Sequence, residues 1–259
     1  MTIRSIIRRT GLRRASLAAV VLLGMGIPAV ASPGAAETET VDRTAAIAAG
    51  GTLTVDNFSG HVRISGTDRQ DVSVHAVRRA PRERLNRIAL EVQSDGQNVT
   101  VRANKRDGDA HGNDNVVETD LTIEVPRGTS LRVTTFSSPL EVTDVAGSGH
   151  VFKSFSGALR FGRVTAPIEA ETFSATIEGT LTAEASRQVQ LRTFSGDIEV
   201  RLAPETAGPV TFSGGFDSDV PLALSSKSGK TIRGHLGEGT RSDASLRFKT
   251  FSGSVRLLR

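Results

Sequence analysis

Apolar and polar residues alternate in short segments along most of this chain. Leu53-Thr-Val55, Val62-Arg-Ile64, Val72-Ser-Val74, Val99-Thr-Val101, Leu121-Thr-Ile123 and Ile198-Glu-Val200 are examples. A period of two marks strands with one face buried and one in water. Gly, Ser and Asp punctuate the segments. Helical spacing occurs only over residues 81–89, where Leu85, Ile88 and Ala89 share a side, and this short segment could equally lead straight into a strand over Ile88–Val92. The pattern predicts an all-β chain with one short helix.

The alternation is organised by a repeat. Phe-Ser followed by a small residue occurs seven times, at Phe58, Phe136, Phe155, Phe173, Phe194, Phe212 and Phe251. Successive separations are 78, 19, 18, 21, 18 and 39 residues. Reading 39 as two units and 78 as four gives a period near 19, the mark of a stacked repeat. A degraded copy at Lys227-Ser228-Gly229, with Leu224 in the place of the upstream apolar residue, fills the longer gap.

Aligned on Phe as position zero, the copies share more than the motif. Position −1 is Thr in five, with Asn57 and Ser154 in the others. Position −3 is apolar except at Pro209, and position +4 is always apolar. Position +5 is always charged: Arg63, Glu141, Arg160, Glu178, Glu199, Asp217 and Arg256. Each unit reads as strand, corner, strand. Positions −3 and +4 have opposite parity, so the alternation must break at the corner. Gly at +2 is the expected place, because it accepts backbone angles closed to other residues. Such units stack into a single-domain β-solenoid of about ten rungs over residues 49–259, with rungs about 4.8 Å apart.

Two orientations follow for the Phe column. If the second strand starts early, Phe points inward; if the first runs on, Phe points outward. Burying a Phe contributes about 1.5–3 kcal/mol, and the chain has few other large residues, so an inward or corner-buried column is expected. An outward column would be an exposed aromatic stripe, the mark of a binding surface or an aggregation hazard. The +5 charges face solvent in either case. In chain order Glu178, Glu199 and Asp217 form a like-charged run that opposes stacking. The C-terminal rung Thr250–Leu258 is a candidate open edge.

Composition narrows the compartment. Arg4, Arg8, Arg9, Arg13 and Arg14 precede an apolar run from Ala15 to Ile27 and the small-x-small site Ala29-Val30-Ala31. This predicts a signal peptide over residues 1–31, followed by a flexible leader over 32–48. Removing five Arg from 32 bases leaves 27 against 28 acids, so the high pI belongs to the signal and gives no basis for nucleic-acid binding. No long apolar stretch follows residue 31, so no integral membrane segment is expected after processing. There is no Cys, which excludes disulfides, thiolate metal sites and a lipid-anchoring lipobox. Trp and Tyr are also absent, so only Phe could stack on a sugar.

The order of these segments resembles a bacterial family labelled "putative adhesin" or β-strand repeat-containing protein. The resemblance rests on Gly51–Ile64 with its Phe-Ser-Gly corner, on Leu121–Pro126 followed by Leu131–Val133, and on the tandem rungs Thr193–Val200 and Thr250–Leu257. It covers roughly residues 50–259. The chain departs from it in placing Phe so uniformly before Ser and in having Asp at +3 only at Asp197. The resemblance implies a β-solenoid at the envelope or cell surface without established catalytic residues. It also implies a sensing or scaffolding role, since some relatives accompany envelope-stress regulators.

Candidate chemistry is sparse. Asp107, Asp109, His111, Gly112, Asn115 and Glu118 fall at positions 1, 3, 5, 6, 9 and 12 of a twelve-residue calcium loop. His111 replaces an oxygen ligand there, and the flanks read as strands, so a polar hairpin loop is the expectation. The five His have no zinc-protease spacing, and no nucleophile elbow occurs. No catalytic residue and no cofactor is predicted. The reading is a non-catalytic, exported, adhesin-like scaffold or interaction protein of the periplasm or cell surface, its partner an envelope protein or glycan. The alternatives are a β-helix enzyme on acidic polysaccharide and a calcium-stabilised envelope binding module.

Overall fold

The alternation builds strands whose inward residues form two facing columns. The computed structural model describes residues 36–106, 116–165, 167–181, 188–204, 206–237 and 245–259. The proposed signal peptide and the start of the leader lie outside them. The strands are β1 (Ala36–Asn57), β2 (Val62–Thr67), β3 (Asp71–Pro81), β4 (Ile88–Ser94), β5 (Gly96–Arg106), β6 (Glu118–Pro126), β7 (Ser130–Thr135), β8 (Leu140–Thr143) and β9 (His150–Ser154). They continue with β10 (Leu159–Val164), β11 (Ile168–Thr172), β12 (Ile177–Leu181), β13 (Val189–Thr193), β14 (Ile198–Leu202), β15 (Gly208–Ser218), β16 (Leu222–Ser228), β17 (Thr231–Leu236) and β18 (Leu246–Leu258). The short helix α1 (Arg82–Arg87) joins β3 to β4 and packs Leu85 against Ala80, Ile88 and Val117.

Each rung is a pre-corner strand, a corner and a post-corner strand, and like strands pair in parallel from rung to rung. The stack runs β5/β6, β1/β2, β7/β8, β9/β10, β11/β12, β13/β14, β18, β15. The result is a β-solenoid, as its periodicity predicts. Beneath β5/β6 lies a reversed rung, β4 antiparallel to β5 and β3 antiparallel to β6, with α1 in the place of the corner. Beyond β15 the antiparallel hairpin β16–β17 extends the pre-corner ladder.

Stack order therefore differs from chain order at both ends. Phe136 sits directly on the rung of Phe58, and the separation of 78 is not four corners. Between them the chain supplies the reversed rung of β3 and β4 and the β5/β6 rung. Likewise β18, the last strand, lies between β13/β14 and β15 and is no open edge. The supposed degraded copy at 227–229 is the tip of the β16–β17 hairpin, with Gly229 at φ +57° and Leu224 exposed. Residues 36–48 are no free leader. Residues 36–46 pair antiparallel with β3, held by Val41 and Ala45 against the core and by the buried Arg78 guanidinium, which donates to Glu39 and to the Ile88 carbonyl.

The core between the ladders is filled by complementary volumes. Phe152 stacks beside Ala170, and Phe161 reaches over Gly179, where a Cβ would lie 2.1 Å from the ring. Large side chains on one rung thus occupy space left by small ones on the next, at the close packing typical of interiors.

Candidate ligand surface: a ladder of phenylalanine edges

The corner geometry follows from hydrogen bonds that run straight through it. The Phe136 and Ser137 amides donate to the Asn57 and Phe58 carbonyls, and Phe155, Phe173 and Phe194 with their following Ser repeat the arrangement. The first strand therefore runs on through Phe. Position −1 points in, Phe points out, Ser is also solvent-facing, and position +2 points in again, as Thr135, Phe136, Ser137 and Ser138 illustrate. The parity break falls between Phe and Ser, not at Gly.

Glycine at +2 has a different reason from the one expected. Among the +2 residues only Gly60, at +105°, and Gly214, at +129°, have a left-handed φ. At Gly157 an added Cβ would lie 2.1 Å from the Ser138 carbonyl oxygen, so the constraint is contact with the next rung. In stack order the column reads Gly60, Ser138, Gly157, Ala175, Gly196, Gly253, and no two adjacent rungs both carry a side chain. The −1 hydroxyls of Ser154, Thr172, Thr193 and Thr250 brace these corners, whereas the buried Thr135 hydroxyl has no partner. Ser154 Oγ accepts from the Gly157 amide at 2.8 Å, Thr172 Oγ1 donates to Ala175 O at 2.7 Å and Thr250 Oγ1 to Gly196 O at 3.0 Å. Asn57 Nδ2 donates to Thr119 O at 3.0 Å and Ser138 Oγ at 3.1 Å.

The Phe column is thus exposed, contrary to the expectation of burial. Phe58, Phe136, Phe155, Phe173, Phe194 and Phe251 stack in that order with centroids 4.6–5.0 Å apart and planes within 2–6°. They are 38–64% exposed. Each ring between the ends has both faces covered by its neighbours, so the ladder presents ring edges. The far face of Phe251 is met by Lys230 Nζ, 6.0 Å from its centroid. Burial energy was outweighed by rung-to-rung hydrogen bonding, which fixes the direction of the side chain, and stacking recovers contact area among the rings themselves.

Phe212 is the exception among the seven copies. It pairs with Phe248, at position −3 of the last copy, and is fully buried against Phe248 and Phe216. Between Ser213 and Gly215 this strand has one residue where β18 has four between Lys249 and Ser254, so it has no corner loop. Its Phe-Ser-Gly is a coincidence of letters with a different register.

A groove of about 860 Å³ runs beside the ladder, walled by Phe136, Phe155, Phe173, Phe194 and Phe251 and floored by the −2 column. That column, which the sequence reading passed over, carries Lys153, Glu171, Arg192 and Lys249, all exposed. Lys153, Arg192 and Lys249 make no ion pair among the described residues. The post-corner face differs. Arg63–Glu141 (3.5 Å), Arg160–Glu178 (2.9 Å), Arg256–Glu199 (3.3 Å) and Arg256–Asp217 (3.9 Å) tie its +5 column together. Placing β18 between β14 and β15 puts Arg256 between Glu199 and Asp217, which breaks the like-charged run and leaves only Glu178 beside Glu199.

The other candidates are dispersed. Asp107, Asp109, His111 and Asn115 of the possible calcium loop lie outside the described residues, and Glu118 pairs with Arg79 at 3.3 Å. Arg79 also holds Asp120, which takes His61 as well, at 2.7 and 3.3 Å. Burial would raise the Asp120 carboxyl, but these hydrogen bonds outweigh it and hold it below its ordinary value. Asp144 is likewise lowered, by the Arg163 guanidinium. His75 on β3 meets Asp42 on β1 at 2.7 Å. His150 is buried with neither ring nitrogen bonded, and desolvation lowers its pKa to about 4. No described helix is long and apolar enough to cross a membrane.

A family model described as Toastrack DUF4097 matches residues 51–258, the span from the first rung to the last. The chain belongs to that family. The start of the match at Gly51 coincides with the entry of β1 into its rung. Among solved structures, a "putative cell adhesion protein" from Clostridium sporogenes is 10% identical, with a TM-score of 0.51 over 85% of this chain and 99% of that one. A "putative adhesin" from Bacteroides fragilis is 11% identical, with a TM-score of 0.33 over 86% and 97%. A "putative lipid binding protein" from Parabacteroides distasonis is 10% identical, with a TM-score of 0.39 over 87% and 97%. At these identities the first likeness is one of fold, and the other two support no argument. No curated protein matches the chain. The Toastrack assignment agrees with the β-strand repeat resemblance read from the corner motifs.

Proposed function

We propose that this Toastrack protein is exported by cleavage after Ala31 and acts without chemistry of its own, as an adhesin-like interaction protein of the envelope. The observation that carries this reading is the exposed ladder of six stacked Phe. A rigid apolar strip of this length costs solubility and contributes little to the core, which the −3 and +4 columns already fill. Surface strips of this kind mark interaction sites. The basic, apolar and small-x-small order of residues 1–31 supports export.

The test is one preparation read twice. The full chain with a C-terminal tag is expressed, fractionated and sequenced from its N-terminus, then used to capture ligands from solubilised envelope. A start at Ser32 in the exported fraction is expected, with capture of an envelope protein, glycan or lipid that is lost in the double variant Phe155→Ser/Phe173→Ser. Retention in the cytoplasm with an intact N-terminus would overturn the export half. Identical capture by wild type and variant would overturn the ladder half.

A further inference from the structure

The ladder restricts what can bind, because stacking has used up the ring faces. An aromatic ring is negative over its face and positive along its edge. Sugars, bases and cations bind faces, and those between Phe58 and Phe251 are covered by neighbouring rings at 4.6–5.0 Å. What remains is a straight row of apolar, edge-positive C–H groups, roughly 24 Å long for five rung spacings. A second copy of the ladder is a poor occupant, since it would set positive edge against positive edge.

The charge beside the row has the same sign. From β7 to β18 the outer pre-corner face carries Arg132, Lys153, Arg192, Arg247 and Lys249 against Glu169 and Glu171, and none of these bases makes an ion pair among the described residues, whereas Asp56 on β1 is paired with Arg102. The post-corner face, by contrast, is internally paired. Unpaired positive charge therefore lies beside the apolar row.

We propose that the ladder and its basic flank form a docking surface for an anionic lipid bilayer. The Phe edges enter the headgroup and upper acyl region, and Lys153, Arg192 and Lys249 meet lipid phosphates. Apolar area and local positive charge are the two terms that set interfacial binding. The proposal deepens the reading of the ladder as the contact surface and rests on it.

The purified protein is floated with vesicles of phosphatidylglycerol and phosphatidylethanolamine, and with phosphatidylcholine alone. Binding is expected on the first and at least about tenfold weaker on the second, by the contribution of each base near an anionic surface. Phe155→Ser/Phe173→Ser should lose most binding. Lys153→Glu/Lys249→Glu touches no ring contact and should lose more than about tenfold, on the same basis. Circular dichroism confirms that each variant is folded. No binding by the folded wild type, equal binding to both vesicles, or indifference to the charge reversal would overturn the proposal. So would a ladder-dependent dimer in light scattering. Ladder-dependent capture of an envelope protein or glycan, without vesicle binding, would overturn the lipid assignment and leave the interaction reading standing.

Discussion

Single residues in this solenoid are constrained chiefly by the rung above or below. Gly157 lies between Ser138 and Ala175 in the +2 column, and a methyl group there meets the Ser138 carbonyl. Gly157→Ala should cost about 1–3 kcal/mol by overpacking, read as a lower urea midpoint at unchanged slope. An unchanged midpoint would show that the corner can relax. His150 offers a second test. Its folded-state pKa, about 4, lies below the ordinary 6.5, so the unfolded chain takes up the proton first. Its contribution is fully present above pH 6.5, falls as pH drops to 4 and is constant below, with an amplitude on the order of 3 kcal/mol. His150→Leu leaves no hydrogen bond unmade and should flatten that part of the curve relative to wild type. Parallel curves for the two proteins between pH 6.5 and 4 would refute this.

At the scale of elements, strand identity comes from alternation and strand position from pairing. The +5 column shows how weak charges report position. Exposed pairs contribute only about 0–1 kcal/mol each, yet Arg256 is the one base that can separate Glu199 from Asp217. Arg256→Glu would align four acids from Glu178 to Asp217. A fall in melting temperature that added salt largely restores is expected, because exposed charges are screened. A fall insensitive to salt would point instead to lost packing of the arginine stem.

For the whole molecule, the consequence is that the fold is not built rung by rung. β1 enters between β5/β6 and β7/β8, and β18 closes the stack between β13/β14 and β15. A simple solenoid tolerates loss of a terminal repeat, since each unit touches only its neighbours. Here, ending the chain at residue 245 removes an interior rung and separates β15 and its hairpin from the stack. The truncated chain should melt well below the full chain in circular dichroism, with the strand signal of β15–β17 already lost. A melt near that of the full chain would show that β15 can dock directly on β13/β14.

Alternation, the 18–21-residue spacing between Phe136 and Phe194, and the short helix before Ile88 were all legible in the sequence. They determine an all-β solenoid because period-two burial and a fixed repeat are local properties of a chain. The −3 and +4 core columns were legible for the same reason. Three things were decided only in three dimensions. The order of the rungs depends on long-range pairing, which spacing cannot report when an intervening segment folds back, as β3, α1 and β4 do. The direction of the Phe ring depends on whether the strand hydrogen bonds continue through the corner, and both continuations fit the same letters. Phe212 carries the motif without its register, because a corner exists only where the neighbouring rung supplies the carbonyls to receive it. The exposed row of ring edges beside Lys153, Arg192 and Lys249 is therefore a product of stacking: the sequence supplied its parts, and the tertiary structure placed them on one surface.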